Sequence, residues 1–134
     1  PFRAFLQERE VTKSSGKNWL FFGDQTRDND FIYEDELKDM LNKNILTKLD
    51  LAFSRDQKEK LYVQNKIYEN KKEFFSWIEN GSIIYICGDA TKMAKDVEDI
   101  ILKIISEENN CSLNDSIEYL NKLKKEKRYL RDVY

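Results

Sequence analysis

Residues 48–89 read KLDLAFSRDQKEKLYVQNKIYENKKEFFSWIENGSIIYICGD. Two short runs in it, KLDLAFS (Lys48 to Ser54) and SIIYICGD (Ser82 to Asp89), are apolar, aromatic or branched, and they end in Ser, Gly or Asp. That is the composition of buried parallel strands that open into loops. Between them, YVQNKIYENKKEFFSWIEN (62–80) spaces Val63, Ile67, Phe74, Phe75 and Ile78 as one helical stripe, closed by Gly81 as a C-cap. A strand, a helix and a second strand at this spacing predict a parallel pair joined by a crossover helix.

The pattern continues in both directions. NWLFFGD (Asn18 to Asp24) reads as another strand, and RYLRDVY (128–134) as a last edge strand. FIYEDELKDMLNK (31–43) aligns Ile32, Leu37, Met40 and Leu41, and KDVEDIILKIISEE (95–108) aligns Val97, Ile100, Ile101, Ile104 and Ile105. SLNDSIEYLNKLKKEKR (112–128) opens with Ser112 as N-cap and Asp115 at the third helical position. The fold class is therefore α/β, a Rossmann-like open parallel sheet with helices on both faces. PFRAFLQERE (1–10) reads as a helix with Pro1 in its first turn, and no strand precedes it in the sequence. That order would place the start of the sequence inside a βαβ unit.

Composition narrows the functions. The 134 residues suffice for one domain with its own core. Charged residues make up 36%, yet the net charge is only −2, against the strong basic excess of a nucleic-acid binder. No apolar stretch reaches the roughly 20 residues of a membrane span, and no signal peptide is visible. The absence of histidine removes His-based triads and most zinc or iron sites. Cys87 and Cys111 are too far apart for a CxxC motif and fit reduced thiols of a cytoplasmic protein.

Three stretches carry candidate chemistry. After the strand at Lys48, Ser54 offers a hydroxyl, Arg55 a planar fork and Lys60 a point charge, at the sheet edge where Rossmann-like folds bind ligands. Such a set suits the 2′-phosphate that distinguishes NADPH from NADH. Asp56 and Glu59 suit an NAD ribose instead, and a solvated charged loop is the bland alternative. Tyr62 and Gln64 extend the site, or Tyr62 is a first-turn core residue. Cys87 closes a buried strand as a small core residue, and Gly88 permits close approach of a dinucleotide. Asp89 reads as a helix N-cap, and Asp96, two turns into that helix, reads as surface. Tyr134 by itself reads as a frayed end.

Together PFRAFLQER, KNWLFFGD, DFIYEDEL, LDLAFSRDQKEKLYVQNKI, IYICGDATKMAKDVE and RYLRDVY resemble, in order and over essentially all 134 residues, the C-terminal NADPH-binding domain of diflavin reductases of the ferredoxin–NADP reductase superfamily. The terminal RDVY is most similar to the sulfite reductase flavoprotein branch. The family's GTGxAP phosphate loop and its strand would lie before Pro1, as would the FMN and FAD domains, so residues 1–134 resemble an N-terminally truncated NADPH-binding domain. The family's strand order is 3-2-1-4-5, which makes the strand before Pro1 the central one. The resemblance implies that Ser54, Arg55, Lys60, Leu61, Tyr62, Val63, Gln64 and Asp96 bind NADPH. It implies that Cys87 and Asp132 serve the nicotinamide end and that Tyr134 stacks on the FAD isoalloxazine. It further implies hydride transfer from NADPH to FAD, then electrons through FMN to a sulfite reductase hemoprotein subunit. The full-length enzyme would be oligomeric and cytoplasmic, with no metal, nucleic-acid or membrane partner in this domain. A cytochrome-type diflavin reductase, with the same half-reaction, and a non-catalytic doubly wound module remain the alternative readings.

Overall fold

The computed structural model describes residue 7 and residues 16–24, 34–53, 61–88 and 92–133. Apart from Gln7, which is helical, the expected N-terminal helix lies outside the described residues, as do Ile32 and Asp89. The elements in chain order are β1 (Trp19–Asp24), α1 (Glu34–Asn42), β2 (Lys48–Phe53), α2 (Val63–Glu69), α3 (Lys71–Glu79), β3 (Ile84–Gly88), α4 (Met93–Glu108), α5 (Leu113–Lys125) and β4 (Tyr129–Val133). β1 pairs with β2 and β3 with β4, both in parallel. These are the pairs that the 3-2-1-4-5 order predicts once its central strand is left out. The chain divides into two compact units, residues 1–66 and 67–134.

In the first unit the register runs from Trp19↔Lys48 to Asp24↔Phe53. Strand alternation sends Leu20 and Phe22 of β1, and Leu49, Leu51 and Phe53 of β2, toward Leu37 and Met40 of α1. Trp19 and Phe21 stack on each other at 4.8 Å between ring centroids. The indole N–H of Trp19 donates to Asp50 Oδ2 (2.6 Å), and the Lys48 ammonium sits 4.3 Å from the indole centroid. The polar groups of Trp19, Asp50 and Lys48 are thereby matched across the two strands.

The second unit is built around α4, whose buried stripe of Ala94, Val97, Ile101, Ile104 and Ile105 packs against α3, α5 and β3. The expected single helix over 62–80 is two helices, broken at Asn70. Asn70 has φ −103° and ψ 26°, and its N–H bonds to Ile67 O three residues back. Asparagine is a weak interior helix former, which makes it the natural point for the break. On either side of the break, the Tyr68 hydroxyl donates to Glu107 Oε1 (2.7 Å) and Lys71 Nζ donates to the same oxygen (3.0 Å). These two bonds hold Glu107 below the usual carboxylate range, the tyrosine bond first.

Four described helices end alike. Asn44, Gly81, Asn110 and Lys127 follow α1, α3, α4 and α5 with φ of 60°, 93°, 48° and 59°. The next residue then donates to a carbonyl five positions back: Ile45 to Met40, Ser82 to Trp77, Cys111 to Ser106 and Arg128 to Leu123. This is the left-handed C-cap that satisfies orphan carbonyls and turns the chain sharply toward the next strand or helix. Ser112 is the expected N-cap of α5, its Oγ accepting from Asp115 N (3.1 Å). Of the four left-handed residues, Lys127 has the wrong chemistry, because a Cβ is strained there and asparagine's local bonding is missing. Lys127→Gly should therefore raise stability by roughly 0.5–1 kcal/mol net of the extra unfolded-state freedom. Urea unfolding midpoints test this, and an unchanged or lower midpoint would refute it.

Candidate functional site

Of the described candidates, Leu61, Tyr62, Val63 and Gln64 follow β2 in sequence, Cys87 and Asp132 lie near the ends of β3 and β4, and Asp96 lies on α4. At the C-terminal end of β2, residues 54–60 lie outside the described residues, and with them Ser54, Arg55 and Lys60. The description resumes at Leu61, and α2 begins at Val63. The Tyr62 N–H donates to Asn65 Oδ1 (2.8 Å). A side chain at the third helical position thus reaches back to the residue before the helix, one half of a capping box. The bond fixes the backbone of Tyr62, a residue 36% exposed, so Tyr62 is not the core residue of the bland reading. Leu61, Val63 and Gln64 are half-buried.

A residue that no sequence motif singles out sets this turn. A Cβ built on Gly23, near the end of β1, would run into Val63 Cγ2. Glycine there lets the first turn of α2 close onto the strand. The signal available in the sequence was the Gly–Asp ending of NWLFFGD, which reads equally well as an ordinary strand terminus.

In the second unit, the register Ile84↔Tyr129 through Gly88↔Val133 pairs Cys87 with Asp132 at the C-terminal end of the two strands. Asp132 is exposed and Cys87 half-buried. Burial pushes the Cys87 thiol up, and the Asp132 carboxylate pushes it further in the same direction. The group at this edge is therefore a neutral thiol at physiological pH, suited to packing and weak donation and unsuited to nucleophilic attack. Gly88 follows with φ +129°, and a Cβ there would meet Met93 Cε at 2.8 Å. That positive φ is what calls for glycine here, since the Met93 methyl is the far end of a flexible side chain.

Asp96 lies nearer the start of its helix than the two turns expected from the sequence. α4 starts at Met93, so Asp96 lies in its first turn, half-buried, with its N–H bonded to Lys92 O (2.9 Å). A carboxylate in a first helical turn is favoured by the helix dipole, which accounts for it without any ligand. The expected N-cap also moves, since Lys92 occupies that position and Asp89 precedes it by three residues. Tyr134 lies outside the described residues. Among the described residues no group of three or more His, Cys, Asp or Glu could hold a metal ion. Nor is any described helix long and apolar enough to cross a membrane.

What the described residues offer a dinucleotide is two strand ends in parallel, with a glycine and a neutral thiol beside a carboxylate. Comparison with known proteins points the same way. The family model described as the oxidoreductase NAD-binding domain matches residues 1–99. Over all 134 residues the chain is 51% identical to the sulfite reductase (NADPH) flavoprotein alpha-component of Vibrio parahaemolyticus and 52% identical to that of Buchnera aphidicola subsp. Schizaphis graminum. It is 48% identical to that of Bacillus subtilis. In each case it spans 22% of the relative's length.

The geometry predicts the behaviour of the thiol. Asp132→Asn removes the carboxylate that opposes ionisation, so the Cys87 pKa should fall toward the ordinary thiol range. Alkylation of Cys87 by iodoacetamide, resolved by peptide mass spectrometry across alkaline pH, should then begin at lower pH. An unmoved profile would leave burial as the sole cause.

Proposed function

The chain belongs to the oxidoreductase NAD-binding domain family, and we propose that it is the NADPH-binding part of a sulfite reductase flavoprotein, orienting the nucleotide for hydride transfer to FAD. The observation that carries this reading is the parallel pairing of β3 and β4, which sets Cys87 beside Asp132 at the C-terminal end of the two strands. The similarity to proteins named as sulfite reductase (NADPH) flavoprotein alpha-components supports the choice of nucleotide and of enzyme.

NADPH supplies the hydride and the flavins carry the electrons, so this chain's own work is binding and orientation. Ser54, Arg55 and Lys60 would hold the 2′-phosphate, Arg55 by a two-pronged contact and Lys60 as a point charge. Tyr62, on its capped turn, would cover the adenosine end, with Gln64 beside it and Leu61 and Val63 shaping the turn. Asp96 would reach the nucleotide from the first turn of α4, a role that its dipole-favoured position permits but does not require. At the other end the Cys87 thiol would pack against the nicotinamide. Its raised pKa suits that role, because an uncharged group can lie against a ring whose charge changes during the reaction without opposing either state. Asp132 would support a positive nicotinamide ring electrostatically, and Tyr134 would stack on the flavin until displaced. On this reading FMN and a hemoprotein subunit follow in the electron path. The FAD domain would be the neighbour of this one in an oligomeric cytoplasmic enzyme.

Two experiments on the flavin-loaded protein that carries this chain test the two ends separately. Arg55→Ala should weaken NADPH binding by about 2–3 kcal/mol, the loss of a charge-assisted contact, with NADH binding nearly unchanged. Equal losses for both nucleotides in titrations would remove Arg55 from the phosphate site. Cys87→Ala should slow flavin reduction in stopped-flow at saturating NADPH while leaving NADPH affinity intact, since the thiol touches only the reacting end. An unchanged rate would return Cys87 to the core.

A further inference from the structure

Arg128 stands immediately before β4 and has no part in nucleotide binding or hydride transfer as described. Its backbone is fixed twice. The N–H donates to Leu123 O (2.8 Å) to complete the C-cap of α5, and the carbonyl accepts from Ile84 N (2.8 Å), one residue before the Ile84↔Tyr129 pair. Its side chain is fixed as well. Nε donates to Ser82 O (3.1 Å), Nη2 donates to Ile78 O (2.5 Å), and Nη1 lies 3.5 Å from Glu126 Oε2. Ile78 is in the last turn of α3, and Ser82 begins the lead-in to β3. One planar guanidinium thus ties the end of α3 and the approach to β3 to the first residue ahead of β4.

The consequence lies at the far end of the same ladder. Strand pairing has period two, so a slip of one residue between β3 and β4 would turn Asp132 to the opposite face from Cys87. The ladder is only five pairs long, from Ile84↔Tyr129 to Gly88↔Val133, and gives a short sheet little register memory of its own. Two bonds from one rigid fork at its N-terminal end supply the direction that it lacks. We propose that Arg128 is a positioning residue: its clamp on Ile78 and Ser82 fixes the β3–β4 register that keeps Cys87 and Asp132 side by side. The functional weight of this clamp rests on the hydride-transfer reading, whereas the clamp itself does not.

A lysine cannot reproduce it. An ammonium on a flexible stem can reach one carbonyl at a time, so Arg128→Lys keeps the charge and the fold while releasing the second bond. In the flavin-loaded protein, Arg128→Lys and Arg128→Ala should both shift the Cys87 alkylation profile to lower pH. Flavin reduction at saturating NADPH should slow by roughly 10- to 100-fold, the scale of a small misplacement at a reacting centre, with the KM for NADPH little changed. Because Arg128 acts through the placement of Asp132, adding Asp132→Asn to either variant should produce no further shift of the profile. A loss of packing alone would leave the Asp132→Asn effect intact and additive. If Arg128→Ala fails to fold, the lysine variant carries the test. A folded Arg128→Lys protein with an unmoved Cys87 profile, or an undiminished Asp132→Asn shift within it, overturns the proposal whatever the reduction rate does. A moved profile with an unchanged reduction rate supports the clamp and instead overturns the hydride-transfer reading.

Discussion

Parallel pairing of β3 with β4 is the constraint on which the rest of the C-terminal unit depends. Among the described residues, the five of β4 are held by this ladder and by α5. The ladder satisfies the backbone polar groups that face between the strands, and it brings residues 45 positions apart in sequence, such as Cys87 and Asp132, to one level of a sheet. The pairing adds the Asp132 carboxylate to the burial that already keeps the Cys87 thiol neutral. If the strands did not meet in this register, the carboxylate that raises the thiol pKa would have no reason to be near it.

How the chain reaches the register is a matter of helix ends. α3 delivers the chain to β3 through Gly81, and α5 delivers it to β4 through Lys127, both in the left-handed conformation. Glycine adopts that conformation without cost, and lysine adopts it only where the surroundings over-determine it. Around Lys127 they do, because the next residue is held by its own N–H, its carbonyl and its guanidinium. Local strain at 127 is thereby offset by bonds at 128. The first unit solves the same problem at lower cost with Asn44, which turns the chain from α1 toward β2.

Charge plays two different parts in the molecule. On the helices, most pairs are exposed and contribute little, as with Lys38–Glu34 at 3.2 Å. Where a carboxylate accepts bonds from two elements its effect is directional. Glu107 of α4 receives the Tyr68 hydroxyl from α2 and the Lys71 ammonium from α3, on either side of the break at Asn70. The break is therefore held in one geometry and does not act as a free hinge. At the end of β3 and β4, a single exposed carboxylate acts on a half-buried thiol directly across the ladder, and burial has already tilted that thiol toward its neutral form.

Much of this was legible in the chain itself. Short runs marked the four described strands, β4 as an edge strand, and helical stripes marked α1 and α4 to within a few residues and the C-terminal end of α3, because burial on one face imposes its period on any sequence that folds this way. Ser112 as a cap and Gly81 as a stop were equally readable, since their chemistry is local. The break at Asn70 was not, because the apolar stripe runs through it unbroken and only Asn70's own dihedral angles and the contacts of Tyr68 and Lys71 mark it. The start of α4 at Met93 was missed for a similar reason, Asp89 being a better cap by residue type than Lys92. Gly23, Arg128 and the pairing of Cys87 with Asp132 belong to tertiary structure alone. A steric contact with Val63, a bond to a carbonyl 50 residues away and a register between distant strands leave no periodic or compositional trace, because they depend on where the chain returns in space and not on what lies beside it in sequence.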